Sequence, residues 1–425
     1  MGFLNINKKY LPLKTHYFLF DAGNSPIIPF LSTIAKQRGY SPLIVGDIFT
    51  FLLLLNVVVK PLTGFVTDKY KCRKTIFLGS LLLNAFLTGG MYLIPGATSL
   101  TGEIPDGEVL NTGVFWLFDM VITLRMVLFM MAEVLQETIT MTIVDGDVVL
   151  FGAQRLWGAV GWGLTSLVAG TMIDWYSRTK EHKDYLPGYL LSMTSLMLDF
   201  AVACRLKVPE SDAPTRNIFG DVKKVMNAKM GMFLVWAMAG GIFTAYIWYY
   251  FIWYVDDLGT IYHPERKSIL HSIQGFSLTI ECLLGEVPFF YLSGHVINRT
   301  GHMTAFSISF AMYALRFLLY SVIRDPLWVL PVELMNGITF GLSYMAGISY
   351  SAKIAPNGTE GTVQGLFSMA FHGFGSSLGS TIAGYTFSYL GSVMAFRFIG
   401  LVALATCIVQ VTVNHFMKRN SITTI

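Results

Sequence analysis

The sequence predicts an all-α membrane protein of twelve transmembrane helices in two pseudo-symmetric six-helix bundles. Three observations carry that expectation: a composition unsuited to water, a regular succession of apolar runs, and a loop that occurs twice. Of the 425 residues, 53% are hydrophobic and only 13% charged, against about 25% charged in an ordinary soluble domain. Such a chain cannot cover a water-facing surface, so its solvent is the bilayer.

A bilayer core about 30 Å thick takes roughly 20 apolar residues per helix. Runs of that kind, separated by charged or Pro/Gly-rich punctuation, fall at 15–35, 42–63, 75–96, 114–140, 153–174, 188–206, 231–254, 269–292, 304–323, 327–351, 361–389 and 393–416. The first contains Asp21, Asn24, Pro26 and Pro29 and is followed by no small-residue cleavage site. It reads as a retained first span, not a signal peptide.

Lys and Arg accumulate in cytoplasmic loops, so alternate loops should differ in cations. Of the 30 cationic residues, 17 (Lys8, Lys9, Lys69, Arg73, Lys223, Lys224 and Arg299 among them) fall on one side and 8 on the other. Both termini are therefore expected in the cytoplasm, in the plasma membrane. The sequons Asn298-Arg299-Thr300 and Asn357-Gly358-Thr359 then lie on the cytoplasmic side, beyond glycosylation. A polar stretch after span six reads as a linker, dividing the chain into a half at 1–206, a linker at 207–230 and a half at 231–425.

The halves repeat. Gly64-Phe-Val-Thr-Asp68-Lys69-Tyr-Lys71-Cys72-Arg73, after span two, matches Gly294-His-Val-Ile-Asn298-Arg299-Thr-Gly301, after span eight. Gln154 to Gly163, opening span five, matches Gln364 to Gly373, opening span eleven. Parallel repeats of this kind are a mark of transporter folds.

The first of these loops resembles the loop motif of the major facilitator superfamily, with Lys71 standing where the family has Gly and Cys72 where it has a cation. Phe151 to Gly163, Glu286-Val-Pro-Phe-Phe-Tyr-Leu-Ser-Gly294, and Gln364-Gly-Leu with His372-Gly resemble the branch called major facilitator superfamily domain-containing protein 6, which is similar to the lactose permease group. The resemblance implies the major facilitator fold. It also implies a cytoplasmic gate at Gly64, Asp68, Lys69 and Arg73, with Gly294, Asn298 and Arg299 as its repeat.

Ionisable groups inside a span cost about 2.5–3.5 kcal/mol each at the bilayer centre, so each marks a partner or a cavity. By depth, Arg316 on span nine can pair with Glu333 on span ten, Asn336 lying one turn deeper. Arg125 and Glu133 lie on span four, and Glu137 near its end can pair with Arg155 on span five. Asp21, Asn24, Glu281, Glu286 and His372 fall near the middle of the membrane. Glu281 and Glu286, five residues apart on an α-helix, would point about 140° from each other. The lactose permease group uses acids on spans four, eight and ten and arginines on spans five and nine, the spans that carry Glu137, Glu281 or Glu286, Glu333, Arg155 and Arg316 here.

Carboxylates beside arginine and histidine supply the chemistry of proton coupling. Span five lacks the Gly-Pro signature that the resemblance associates with antiporters, which favours symport. Tyr246, Tyr250 and Trp253, at i, i+4 and i+7 on an aromatic seventh span, are candidate contacts for a solute ring. The leading function is thus secondary active transport of a small polar organic solute by alternating access, coupled to protons. The competing class is a receptor or signalling protein that kept the fold and lost transport.

Other classes find no support. Cys72, Cys204, Cys282 and Cys407 form no CxxC pair, and no metal site, cofactor site, Walker A run, HExxH or Gly-x-Ser-x-Gly is present. The expected partners are the bilayer, a solute and protons, with no nucleic acid and a monomeric chain.

Overall fold

The computed structural model describes residues 10–95, 105–144, 148–180, 182–206, 226–355 and 360–422. Most of the expected linker and the second sequon lie outside these residues. Every regular element among the described residues is a helix. Eight helices are long and apolar enough to cross a membrane, and a bent pair at Pro264–Phe290 and Leu292–Thr300 makes a ninth. The other three expected spans, 15–35, 327–351 and 361–389, are helical but assembled from shorter pieces.

Physical causes for these breaks are local. Span one is Leu11–Asn24 followed by Leu31–Gln37. Pro26 and Pro29 lack the N–H that would continue the first helix, and the Asn24 side chain donates to the Phe20 carbonyl at 2.8 Å, satisfying one of the acceptors stranded at its end. Spans eight, ten and eleven each contain a π-helical stretch, at Ile280–Glu286, Gly337–Gly341 and Met369–Gly375. Such stretches occur frequently at functional sites. Bonding of i to i+5 also brings residues five apart nearly into line, so the 140° separation expected of Glu281 and Glu286 does not hold.

Spans four and seven are uninterrupted, at Gly113–Ile143 and Ala228–Tyr262. Each begins at a side-chain cap: Thr112 accepts from the Phe115 N–H and Asn227 from the Met230 N–H.

By proximity the chain forms two compact units. The first comprises Met1–Ser41, Leu55–Thr215 and Glu265–Leu283, and the second Pro42–Leu54, Arg216–Pro264 and Leu284–Ile425. Each half of the sequence thus lends one segment to the unit formed mainly by the other. Close backbone approach explains both loans. In the first unit, the start of span eight lies against span five (Val148–Tyr176), where a Cβ on Gly170 would strike the His271 carbonyl and one on Gly275 the Ser166 carbonyl. Thr279 donates to the Gly163 carbonyl at 2.7 Å along the same seam.

In the second unit, the start of span two lies against span eleven. A Cβ on Gly46 would come within 3.0 Å of the Gly384 backbone. Beside it, Tyr250 donates to the Pro42 carbonyl at 3.1 Å, and the Thr50 and Thr381 hydroxyls are 2.8 Å apart.

The first seam ends in a polar knot. Asp174, on span five, accepts from the Ser272 N–H and hydroxyl and pairs with Lys183. His271, stacked on Phe30, lies 2.9 Å from the Tyr185 hydroxyl, which donates to Thr33.

Candidate functional site

In the second unit the polar residues of spans eight, nine and ten form one wired cluster. Arg316 and Glu333 are both fully buried, with Arg316 Nη2 2.5 Å from Glu333 Oε2. Tyr320, one turn beyond Arg316, accepts from Arg316 Nε at 2.9 Å and donates to Glu333 Oε1 at 2.5 Å. The remaining guanidinium nitrogen, Nη1, donates to Asn336 at 2.7 Å and Thr339 at 3.0 Å. Asn336 in turn donates through Nδ2 to Glu286 Oε1 at 3.0 Å. Glu286 is half-buried, whereas the pair it reaches through Asn336 is sealed. A buried pair needs its remaining lone pairs and protons satisfied to offset its desolvation, and Tyr320, Asn336 and Thr339 do that here.

Beside this cluster sits an aromatic group. Trp248 stacks on His372 with centroids 5.9 Å apart and planes 15° apart, and Tyr344 meets the same imidazole edge-on at 5.4 Å. Trp248, Tyr344 and His372 are all half-buried. Tyr246, Tyr250 and Trp253 are instead buried, Tyr246 facing Thr386 and Tyr250 facing Pro42. Within the stretch that the triplet spans, the partly open aromatic residues are Trp248 and Tyr249, which lie between Tyr246 and Tyr250 in the chain.

In the first unit two groups lie apart. Deep among the helices, Arg125 donates from Nε to Thr88 at 2.8 Å and from Nη2 to Asn24 at 2.9 Å. The second group is half-open: Lys60 pairs with Glu133 at 2.6 Å, and Arg155 lies 3.6 Å from Glu137. Asp21 is held against span five because position 158 is Gly; a Cβ there would collide with its carboxylate. Among charged groups, Arg155 and Glu133 act on it most strongly, followed by His16 and Asp199.

The buried Glu281 belongs to the lent segment of the first unit. Among the described residues, no group of three or more His, Cys, Asp or Glu is arranged to hold a metal ion.

Of the gate residues, the Asp68 side chain lies outside the described residues. Lys69 sits over the Phe65 and Tyr70 rings, at 5.6 and 5.4 Å, and Arg73 is buried at the start of span three. Gly294, Asn298 and Arg299 lie exposed on the last part of span eight. Lys71 is the one non-glycine residue of positive φ among the described residues, at 51°, and its repeat counterpart Gly301 has φ 84°. The tight turn therefore survives the replacement of Gly by Lys.

Sequence reasoning missed His16. It lies 2.6 Å from Asp199, both buried, and joins span one to span six. A histidine five residues before Asp21 in an apolar run was the available signal. It also missed the knot around Asp174, whose members come from four separate stretches of chain.

A model of the MFS_1 like family matches residues 10–398. The maltose permease of Geobacillus stearothermophilus is 23% identical over 376 residues, covering 87% of this chain and 85% of that protein. A major facilitator superfamily domain-containing protein 6-like protein of Danio rerio is 20% identical over 461 residues, covering 90% and 83%. Among solved structures, a point mutant of the nucleoside transporter NupG superposes with a TM-score of 0.79 at 17% identity, over 95% of this chain and 99% of that one.

Proposed function

The chain belongs to the MFS_1 like family and is an integral, multi-pass membrane protein, and from this we propose that it carries a small polar organic solute across its membrane by alternating access, in symport with protons. The observation that supports this most directly is the line Glu286, Asn336, Arg316, Glu333. A half-open carboxylate that can exchange protons is tied through one amide to a sealed ion pair. A change of charge at Glu286 alters what Asn336 must satisfy, and so is felt at the joint between spans nine and ten.

Relatives extend the reading to the cargo. Their names mention maltose and nucleosides, and the half-open Trp248, His372 and Tyr344 suit the flat face of a sugar or base. We also assign proton or solute contacts to Asp21, Glu133, Glu137 and Arg155, and retain the division at 1–206 and 231–425, cytoplasmic termini and a monomeric state.

The test is uptake into vesicles, with a parallel thermal-shift screen, across sugars, nucleosides, peptides and organic acids at two pH values. Wild type should accumulate one class in a pH-dependent manner. Glu286→Gln should keep exchange of solute but lose accumulation driven by a proton gradient. Unchanged accumulation by that variant would sink the coupling role, and no flux with any class would sink transport itself.

A further inference from the structure

The two units treat the same helix pair differently. In the second unit a buried guanidinium, Arg316, bridges spans nine and ten, and its fork ends on the carboxylate of Glu333. In the first unit Arg125 bridges the equivalent spans three and four and is equally buried, at 1% exposure. Its partners are all neutral: the Thr88 hydroxyl, the Asn24 amide oxygen and, at 3.8 Å, the Met126 sulfur. No carboxylate pairs with it among the described residues.

Neutral acceptors direct a guanidinium without cancelling its charge, and an uncompensated buried charge is costly. The groups nearby do not supply a countercharge. Tyr189, which acts electrostatically on Arg125, has a buried hydroxyl with no partner among the described residues. Asn84, whose carbonyl accepts from Thr88 one turn along span three, is fully buried with neither side-chain polar atom bonded. The Ser25 hydroxyl, next in the chain to Asn24, is likewise buried and unbonded.

A second buried guanidinium, Arg38, acts on the same tyrosine. It donates to the Pro95 and Ile94 carbonyls, lies over Phe118, and also has no carboxylate partner among the described residues. The carboxylate of Asp119, on the same span as Arg125, acts on Tyr40 beside Arg38, but among the described residues no carboxylate bonds either guanidinium, and several donors near Arg125 stay idle.

We propose that the Arg125 fork is the binding site of a small monovalent anion, held among spans one, three, four and six by Arg125 and the free hydroxyl of Tyr189. A halide and the carboxylate of an organic solute share the needed chemistry: one negative charge that accepts several short hydrogen bonds. The proposal does not rest on the transport reading, because an anion resident in a non-transporting protein would occupy the same fork.

The experiment is thermal unfolding of the purified full-length chain at constant ionic strength. Sodium chloride in one arm and sodium acetate in the other replace sodium methanesulfonate, whose charge is spread over three weakly basic oxygens and makes it the poorer hydrogen-bond acceptor. The midpoint should rise saturably, by several degrees, in at least one arm. A rise with chloride alone identifies a resident halide, and a rise with acetate identifies a carboxylate subsite.

Arg125→Gln keeps an N–H donor at the level of Nε, where Thr88 accepts, and removes the charge. It should melt no lower than wild type in methanesulfonate and show no anion response. Tyr189→Phe removes a hydroxyl that has no protein partner, so it should fold and need about tenfold more anion for half its shift. No saturable shift in either arm, or an undiminished shift in Arg125→Gln, overturns the proposal. If Arg125→Gln does not fold, an unchanged anion requirement in Tyr189→Phe overturns it instead.

Discussion

Asp174 and Ser272, 98 residues apart in the chain, are joined twice over: Asp174 Oδ2 accepts the Ser272 backbone N–H at 2.6 Å and its hydroxyl at 2.7 Å. Ser272 is the third residue of the helix Leu270–Thr279, whose own N-cap position, Ile269, provides no side-chain acceptor. Span five therefore caps span eight from outside, satisfying an N–H that the helix leaves without a partner. Asp174→Ala should cost about 1–2 kcal/mol, the usual value of a cap, and Asp174→Asn less, since its amide oxygen can still accept. Melting curves of the two variants in detergent would show it; an unaltered Asp174→Ala curve would mean that another group takes over the cap.

The Arg316 and Glu333 pair makes a different prediction, because the cost of breaking a buried pair exceeds the cost of replacing it. Arg316→Met or Glu333→Leu alone should destabilise by about 3–5 kcal/mol, and the double variant by markedly less. A double-mutant cycle on chemical unfolding measures this. Additive losses would show that Tyr320, Asn336 and Thr339 hold each charge independently of the other.

These two relationships differ in how far they could be read from sequence. Arg316 and Glu333 stand out as charges in neighbouring apolar runs, and a rise of about 1.5 Å per residue puts them at one depth. The Asp174 cap joins residues near span ends, where charges are ordinary and register is loosest, so nothing singled it out. His16 with Asp199 was harder still, since the run at 15–35 puts His16 at its very edge and the facing sides of spans one and six are set by helix rotation. The π-helical stretches were invisible for another reason: an apolar run remains apolar whether it winds as α or π. The aromatic triplet on span seven shows the same gap, with spacing alone choosing Tyr246, Tyr250 and Trp253 while the open face carries Trp248 and Tyr249.

At Lys71 the backbone takes a left-handed conformation that costs a non-glycine residue roughly 1–2 kcal/mol. Lys71→Gly relieves that strain but adds freedom to the unfolded chain, so the net change should be small and no worse than neutral. Lys71→Val should be clearly destabilising, as β-branching makes positive φ harder still. Comparing the two melting points tests the assignment; equal losses would place the importance of Lys71 in its side chain.

The seams of close backbone approach should respond to bulk in an ordered way. Gly275→Leu and Gly170→Leu would force apart helices that meet at backbone carbonyls, whereas Gly79→Ala meets nothing within 4 Å. Solute exchange should be lost in the first two and kept in the third, as read by uptake into vesicles. Wild-type exchange by Gly275→Leu would show that this seam opens freely.

The π turn at Ile280–Glu286 coincides with a difference in length between the two repeats. Gly46 and Gly275 both line seams, and Gly64 and Gly294 both open the repeated loop, yet the second pair is one residue further apart in the chain than the first. One residue more in span eight than in span two over the matched interval is the excess that a π turn takes up. Removing one residue from that stretch should restore an α-helix and swing Glu281 by about 100° relative to Gly294. What this span presents to its neighbours is thus set by a count of residues as much as by their kinds.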